Sequence, residues 1–162
     1  MLMQWLGLLA RLVLGGVWLY AGALKLPHPE ASVSAVRAYQ LLPLGATQFV
    51  GYLLPVLEVV IGALLLLGLL TRVSGAVSAV LQVGFIIGIV SVWVRGIPIN
   101  CGCFGDGGYD PNAFDKYPWE IARDVGLFLL SALLVWRPST PFALDSVLFP
   151  SVRKAPDGQE EP

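Results

Sequence analysis

At 162 residues, 56% hydrophobic and only 13% charged, the chain is too apolar to be a soluble domain with one core to fill. A net charge of −1, with the ten basic residues spread along the whole length, excludes a strong attraction to nucleic acid or to an anionic membrane surface. The bilayer is the solvent this composition fits.

Four apolar runs follow in chain order, over residues 5–24, 49–70, 73–94 and 119–136. Each is close to the ~20 residues that a helix needs to cross ~30 Å of hydrocarbon. The expected fold class is all-α: an integral membrane four-helix bundle over residues 1–137, with both termini on one side, followed by a C-terminal tail over 138–162. The first run is read as a retained helix and not a cleaved leader, because no Lys or Arg precedes it and Arg11 interrupts it. Between the first and second runs, "HPEASVSAVRAYQLLPLG" places Val33, Val36, Tyr39 and Leu42 at helical spacing, which predicts a short interfacial helix ending at Pro43. A tight hairpin is expected at Thr71-Arg72. In the third run, Gly84 and Gly88, with Gly75 and Ala79, form small-residue faces of the kind that let helices approach in lipid, so this helix is expected at the centre. The tail has the proline-rich, acidic-ended composition of a segment that resists packing.

Chemistry concentrates in the loop "GIPINCGCFGDGGYDPN", which holds both cysteines, Cys101 and Cys103. A disulfide needs Cα atoms roughly 4.4 to 6.8 Å apart, and Gly102 removes the Cβ that would resist the bend this requires. So small a ring is strained and exchangeable, and it closes too short a loop to serve as a staple. Three readings stand at this point: a redox-active dithiol; a soft-metal site in which Cys101 and Cys103 are joined by His28, in a protein that binds or transports a thiophilic ion; and a plain tight turn. Gly105, Gly107 and Gly108 give the loop freedom for a partner to approach the sulfurs. Arg123, at the start of the fourth run, is placed to stabilise a thiolate. Glu120 and Asp124 have a simple role as acidic residues in a first helical turn. Phe104 reads equally as an interface anchor and as a ring at the mouth of the bundle.

Glu58 lies midway along the second run, a depth at which an ionisable side chain needs a partner or a task. Arg11 and Arg123 are the expected partners, and Pro55 one turn earlier is expected to open space beside the carboxyl group. Lys and Arg counts in the loops nearly tie, so orientation rests on the thiols: a pair that cycles through a disulfide belongs on the oxidising face, which puts the termini in the cytoplasm.

The strings "RLVLGGVWLYAGALKL", "YQLLP", "LLPVLEVVIGALLLLGLLTR" and "RGIPINCGCFGD" together resemble the MauE family, within the wider DoxX-like group of redox-associated membrane proteins. The resemblance runs from about Arg11 to the end of the fourth helix. It implies a multi-pass protein of the bacterial inner membrane, linked to disulfide formation or maturation of exported proteins and working with a thioredoxin-like partner. It implies Cys101 and Cys103 as the redox pair of a thiol-disulfide oxidoreductase, with Tyr20, Lys25, Pro55 and Glu58 as motif residues. With no other cysteine to carry electrons across the bilayer, the pair is recycled either by a quinone, for which an apolar cleft near Glu58, Tyr20 and Trp93 is the expected place, or by a second partner on the same face.

Overall fold

The structure, a computed structural model, describes residues 2–136 and Leu144, with side chains from Trp5 onward. The expected tail over 138–162 lies outside the described residues, Leu144 apart. Among the described residues five helices are formed: α1 (Leu2–Lys25), α2 (Pro29–Ala38), α3 (Leu44–Leu67), α4 (Thr71–Val94) and α5 (Ala113–Trp136). Between α4 and α5 lies a two-stranded antiparallel ribbon, β1 (Ile99–Asn100) and β2 (Gly108–Tyr109), in the register Ile99 to Tyr109 and Asn100 to Gly108. The chain is mostly helical, as its composition demands.

Three segments, Trp5–Lys25, Leu44–Leu67 and Thr71–Val94, are long and apolar enough to cross a membrane. α5 is equally long, but its first half carries Asp115, Lys116, Glu120, Arg123 and Asp124. It also begins six residues before the predicted start at 119 and runs through Pro118.

Other boundaries shift for local reasons. α3 stops at Gly68, which takes a left-handed conformation (φ 68°) and caps the helix with its N–H on the carbonyls of Leu64 and Leu65. The turn is therefore Gly68 to Leu70, and the expected hairpin residues Thr71 and Arg72 already belong to α4. α2 ends at Ala38, before the predicted stop at Pro43, and Leu42 is exposed. Its buried residues are Ser32, Val33 and Ala35, and they face protein.

Close helix contact comes from glycines other than those expected. A Cβ at Gly62 of α3 would lie 2.6 Å from the backbone nitrogen of Leu19, and one at Gly22 of α1 would lie 2.9 Å from the Pro55 carbonyl oxygen. α1 and α3 thus touch backbone to backbone, the contact that gives affinity where lipid tails compete for leucine. Gly84 faces open space, and Gly88 carries the ring of Tyr39. α4 packs chiefly on α5, where Gly75 sits against Leu134 and Ser131. The core joins Ala10, Leu14, Trp18, Ile61, Leu65, Leu127 and Leu134. Beside it runs a buried polar chain in which the Trp18 indole N–H donates to Ser78 Oγ (2.7 Å), which pairs with Ser131 Oγ (2.8 Å). Outward positions such as Leu9, Val56, Val80, Ile87 and Leu129 are exposed and apolar, the surface that a hydrocarbon solvent selects.

Candidate functional site: a covered thiol pair above a buried polar chamber

The Cys-Gly-Cys turn begins where β1 ends. β1 is fixed from below by Tyr117 of α5, whose hydroxyl lies 2.7 Å from the Ile97 carbonyl and 2.9 Å from that of Ile99 while accepting the Ile99 N–H at 3.1 Å. Outside the ribbon, Lys116 pairs with Asp110, whose carboxylate also accepts the Asn112 N–H (2.9 Å). The Lys116 hydrogen bond holds the Asp110 carboxyl below its ordinary range. Gly102 then turns the chain with φ 70°, a region that side chains with a Cβ rarely enter.

The turn points inward. Cys101 and Cys103 are free thiols, only 8% and 7% exposed, which corrects the expectation of an accessible pair. α2 is the cover. A Cβ built on Gly102 would lie 2.8 Å from the Ala35 Cβ, and one on Gly107 would lie 2.3 Å from it. These glycines admit α2, and not the approaching partner that their freedom along the chain suggests. On the far side, Gly51 of α3 admits Val33, with a would-be Cβ 2.5 Å from the Val33 Cα, so α2 is wedged between α3 and the cysteine loop. Tyr39, just beyond α2, donates its hydroxyl hydrogen to the Cys101 carbonyl at 2.7 Å, and Arg95 donates to the Tyr39 carbonyl at 2.8 Å. Burial and the neighbouring thiols raise the Tyr39 hydroxyl above its usual range, so it stays protonated and keeps donating.

The two thiols are unlike. Cys101 is held below the ordinary thiol range, first by its side-chain hydrogen bond with Cys103, then by the Cys103 backbone N–H on its Sγ (3.4 Å) and by the Arg123 charge, against the opposing effect of burial. Cys103 is pushed well above that range by the same hydrogen bond, by burial and by the Cys101 and Asp124 charges. Cys101 is thus the more acidic thiol of the pair and Cys103 the less acidic. Around them stand Glu120, hydrogen-bonded to Cys101, and Arg123, whose guanidinium lies 4.9 Å from the centre of the Phe104 ring and 2.9 Å from Asp124 Oδ1. Glu120 and Asp124 are buried, well inside α5 and not in its first turn, so helix capping does not explain them. Phe104 is half-buried at the mouth, with the exposed Tyr20 ring 5.9 Å away.

One step deeper, Glu58 is fully buried and pairs with Lys25 at 2.6 Å. The partner is therefore Lys25, not the expected Arg11 or Arg123: α1 and α3 touch along Gly22, which brings the last residue of α1 over the carboxyl group. A small chamber of about 20 Å³ separates this ion pair from the thiols; its wall includes Glu58, Gln82, Phe85, Cys103, Arg123 and Asp124. Glu58 lines this chamber, whereas Tyr20 and Trp93 are exposed at the surface. His28 is exposed at the N-cap of α2, and among the described residues no three His, Cys, Asp or Glu side chains gather to hold a metal ion. Sequence reasoning passed over Gln82 and the hydroxyls of Tyr39 and Tyr117. A polar residue inside an apolar run was the available signal for Gln82.

The family profile described as Methylamine utilisation protein MauE matches residues 3–137. Among curated proteins and among solved structures, none matches the chain.

Proposed function

The chain belongs to the MauE family, whose description ties it to methylamine utilisation, and from that premise we propose that it is a membrane thiol-disulfide exchange protein. The observation that carries this reading is the asymmetric pair of free thiols: Cys101 accepts the Cys103 backbone N–H on its Sγ at 3.4 Å beside Glu120 and Arg123 and is the more acidic, while Cys103 two residues away is the less acidic. Such a pair does one kind of chemistry well. The Cys101 thiolate attacks one sulfur of a partner's disulfide, giving a mixed disulfide and a partner thiolate. Cys103, once deprotonated, attacks the Cys101 sulfur and expels the second partner thiolate. The partner gains two electrons and becomes a dithiol, and the pair becomes a strained, exchangeable disulfide. Run backwards, the same steps oxidise the partner.

In this reading α5 is the fourth span of a four-helix bundle, with Glu120 and Asp124 turned inward and Val125, Leu129 and Trp136 outward. The thiol end faces the extracytoplasmic side of a bacterial inner membrane, the termini are cytoplasmic, and the partner is a thioredoxin-like protein serving disulfide formation or maturation of exported proteins. In this reading the chamber beside Glu58 holds about one water, and the pair is recycled by a second thiol partner in place of a quinone. The chain holds no cysteine besides the pair, so electrons enter and leave through it on one face. Thiol titration of the purified protein tests this: two free thiols per chain after reduction and none after incubation with an excess of a strongly oxidising thioredoxin-fold disulfide are expected. A count fixed at two under both conditions contradicts it.

A further inference from the structure

We propose that the chamber between Cys103 and Glu58 is a binding site for a single water molecule, and that Asp124, reached through that water, is the base that removes the Cys103 proton. The inference rests on the thiol-exchange reading and assigns the step in which Cys103 becomes a nucleophile. Cys103 is 7% exposed, so bulk water does not reach its thiol for deprotonation. Its own wall of the chamber supplies the alternative. The chamber has room for about 20 Å³, where one water needs roughly 10 to 15 Å³.

Three side chains lining it, each more than nine-tenths buried, carry an oxygen that receives no hydrogen bond from the protein: Glu58 Oε2, Gln82 Oε1 and Asp124 Oδ2. Their companions are engaged, Glu58 Oε1 by Lys25 and Asp124 Oδ1 by Arg123. Buried polar atoms are rarely left so, and a wall of acceptors calls for a donor. A resting water offers two hydrogens; once it has taken a proton it offers three, one for each orphaned oxygen.

The choice of Asp124 over Glu58 follows from the ion pairs. Lys25 is committed to Glu58 in a closed contact. Asp124 shares Arg123 with the thiols, and its charge is felt at Cys103, so proton and thiolate exchange beside one guanidinium. In the step itself the Cys103 S–H bond breaks, its proton passes through the water to Asp124 Oδ2, and the thiolate forms a bond to Cys101 Sγ. The bond from Cys101 to the departing sulfur breaks, and the electron pair leaves with that sulfur.

The test is stopped-flow reaction of the reduced protein in nanodiscs with one equivalent of 2,2′-dithiodipyridine, a neutral aromatic disulfide, so that a second pyridinethione can come only from ring closure. Mixed-disulfide formation at Cys101 releases the first pyridinethione, and ring closure by Cys103 releases the second. For the native chain two equivalents per chain are expected, the second phase alone slowing in D2O. In Asp124→Asn the ratio of the second to the first rate constant is expected to fall about ten-fold or more, within the range of lost general-base catalysis. Gln82→Met, which leaves both ion pairs in place, is expected to lower the same ratio several-fold, and the far-UV circular dichroism of each variant reports that it is folded. Two equivalents with an unchanged ratio in both variants overturn the water-and-Asp124 assignment and leave thiol exchange standing. A native chain that releases only one equivalent overturns both.

Discussion

Gly107→Ala isolates the role of α2 as a cover. The methyl group it adds would lie 2.3 Å from the Ala35 Cβ and 3.0 Å from the Ala35 Cα, with backbone as part of what must yield. Gly107 is not among the positive-φ glycines, so the change is steric and carries no left-handed strain. Overpacking of this kind costs roughly 1 to 3 kcal/mol, borne by the closed arrangement of α2 on the cysteine loop. At about 1.4 kcal/mol per factor of ten, the population with α2 lifted rises about 5- to 150-fold. Alkylation of a buried thiol proceeds through the open population, so the rate of Cys101 modification by iodoacetamide is expected to rise by the same factor. Gly107→Ala combined with Ala35→Gly, which removes the colliding Cβ, is expected to return most of the way. Mass spectrometry of the labelled loop peptide gives both rates. An alkylation rate unchanged by Gly107→Ala, or a double variant no slower than the single, refutes the reasoning that α2 covers the pair.

Two further outcomes follow from the site. Because hydrogen bonding with Cys103 lowers the Cys101 pKa, Cys101 should keep reacting with iodoacetamide as pH falls below the ~8.5 of an ordinary thiol, while Cys103 stays unmodified there; Cys103→Ala should move the Cys101 profile upward, and identical profiles for the two cysteines would contradict the assignment. Lys25→Met strips Glu58 of its partner in the interior and should cost about 3 to 5 kcal/mol in reversible unfolding from mixed micelles, with Lys25→Met/Glu58→Gln recovering most of it; a single variant no worse than the double argues against the ion pair.

The helices were legible because long apolar runs admit few structures in lipid, and their ends were not, because caps are local. Gly68 closes α3 inside a stretch where Leu69 and Leu70 continue the apolar pattern, and α5 starts ahead of Pro118 although a proline ordinarily signals a boundary. The Cys-Gly-Cys turn could be found from its residue types alone. Its burial could not, since the glycines that signal freedom along the chain serve here as seats for Ala35, a contact from a helix more than sixty residues earlier. The same limit applied to Glu58. Depth in the run marked it as needing a partner, but which cation arrives depends on the register of α1 against α3, set by Gly15, Gly22 and Gly62. Gln82 drew no notice because a single amide in an apolar helix has meaning only once Glu58 and Asp124 are seen across the chamber from it.

The central claim, that Cys101 attacks and Cys103 resolves, is tested most directly by trapping the intermediate. The reduced protein with Cys103→Ala, incubated with a thioredoxin reduced to one active-site cysteine and activated there as the 2-thiopyridyl disulfide, should release pyridinethione and accumulate a covalent one-to-one complex through Cys101 that runs apart on a non-reducing gel and dissolves on reduction. Cys101→Ala should give none, and the native chain only traces. Equal trapping by the two variants, or a complex through Cys103 in place of Cys101, would contradict the account.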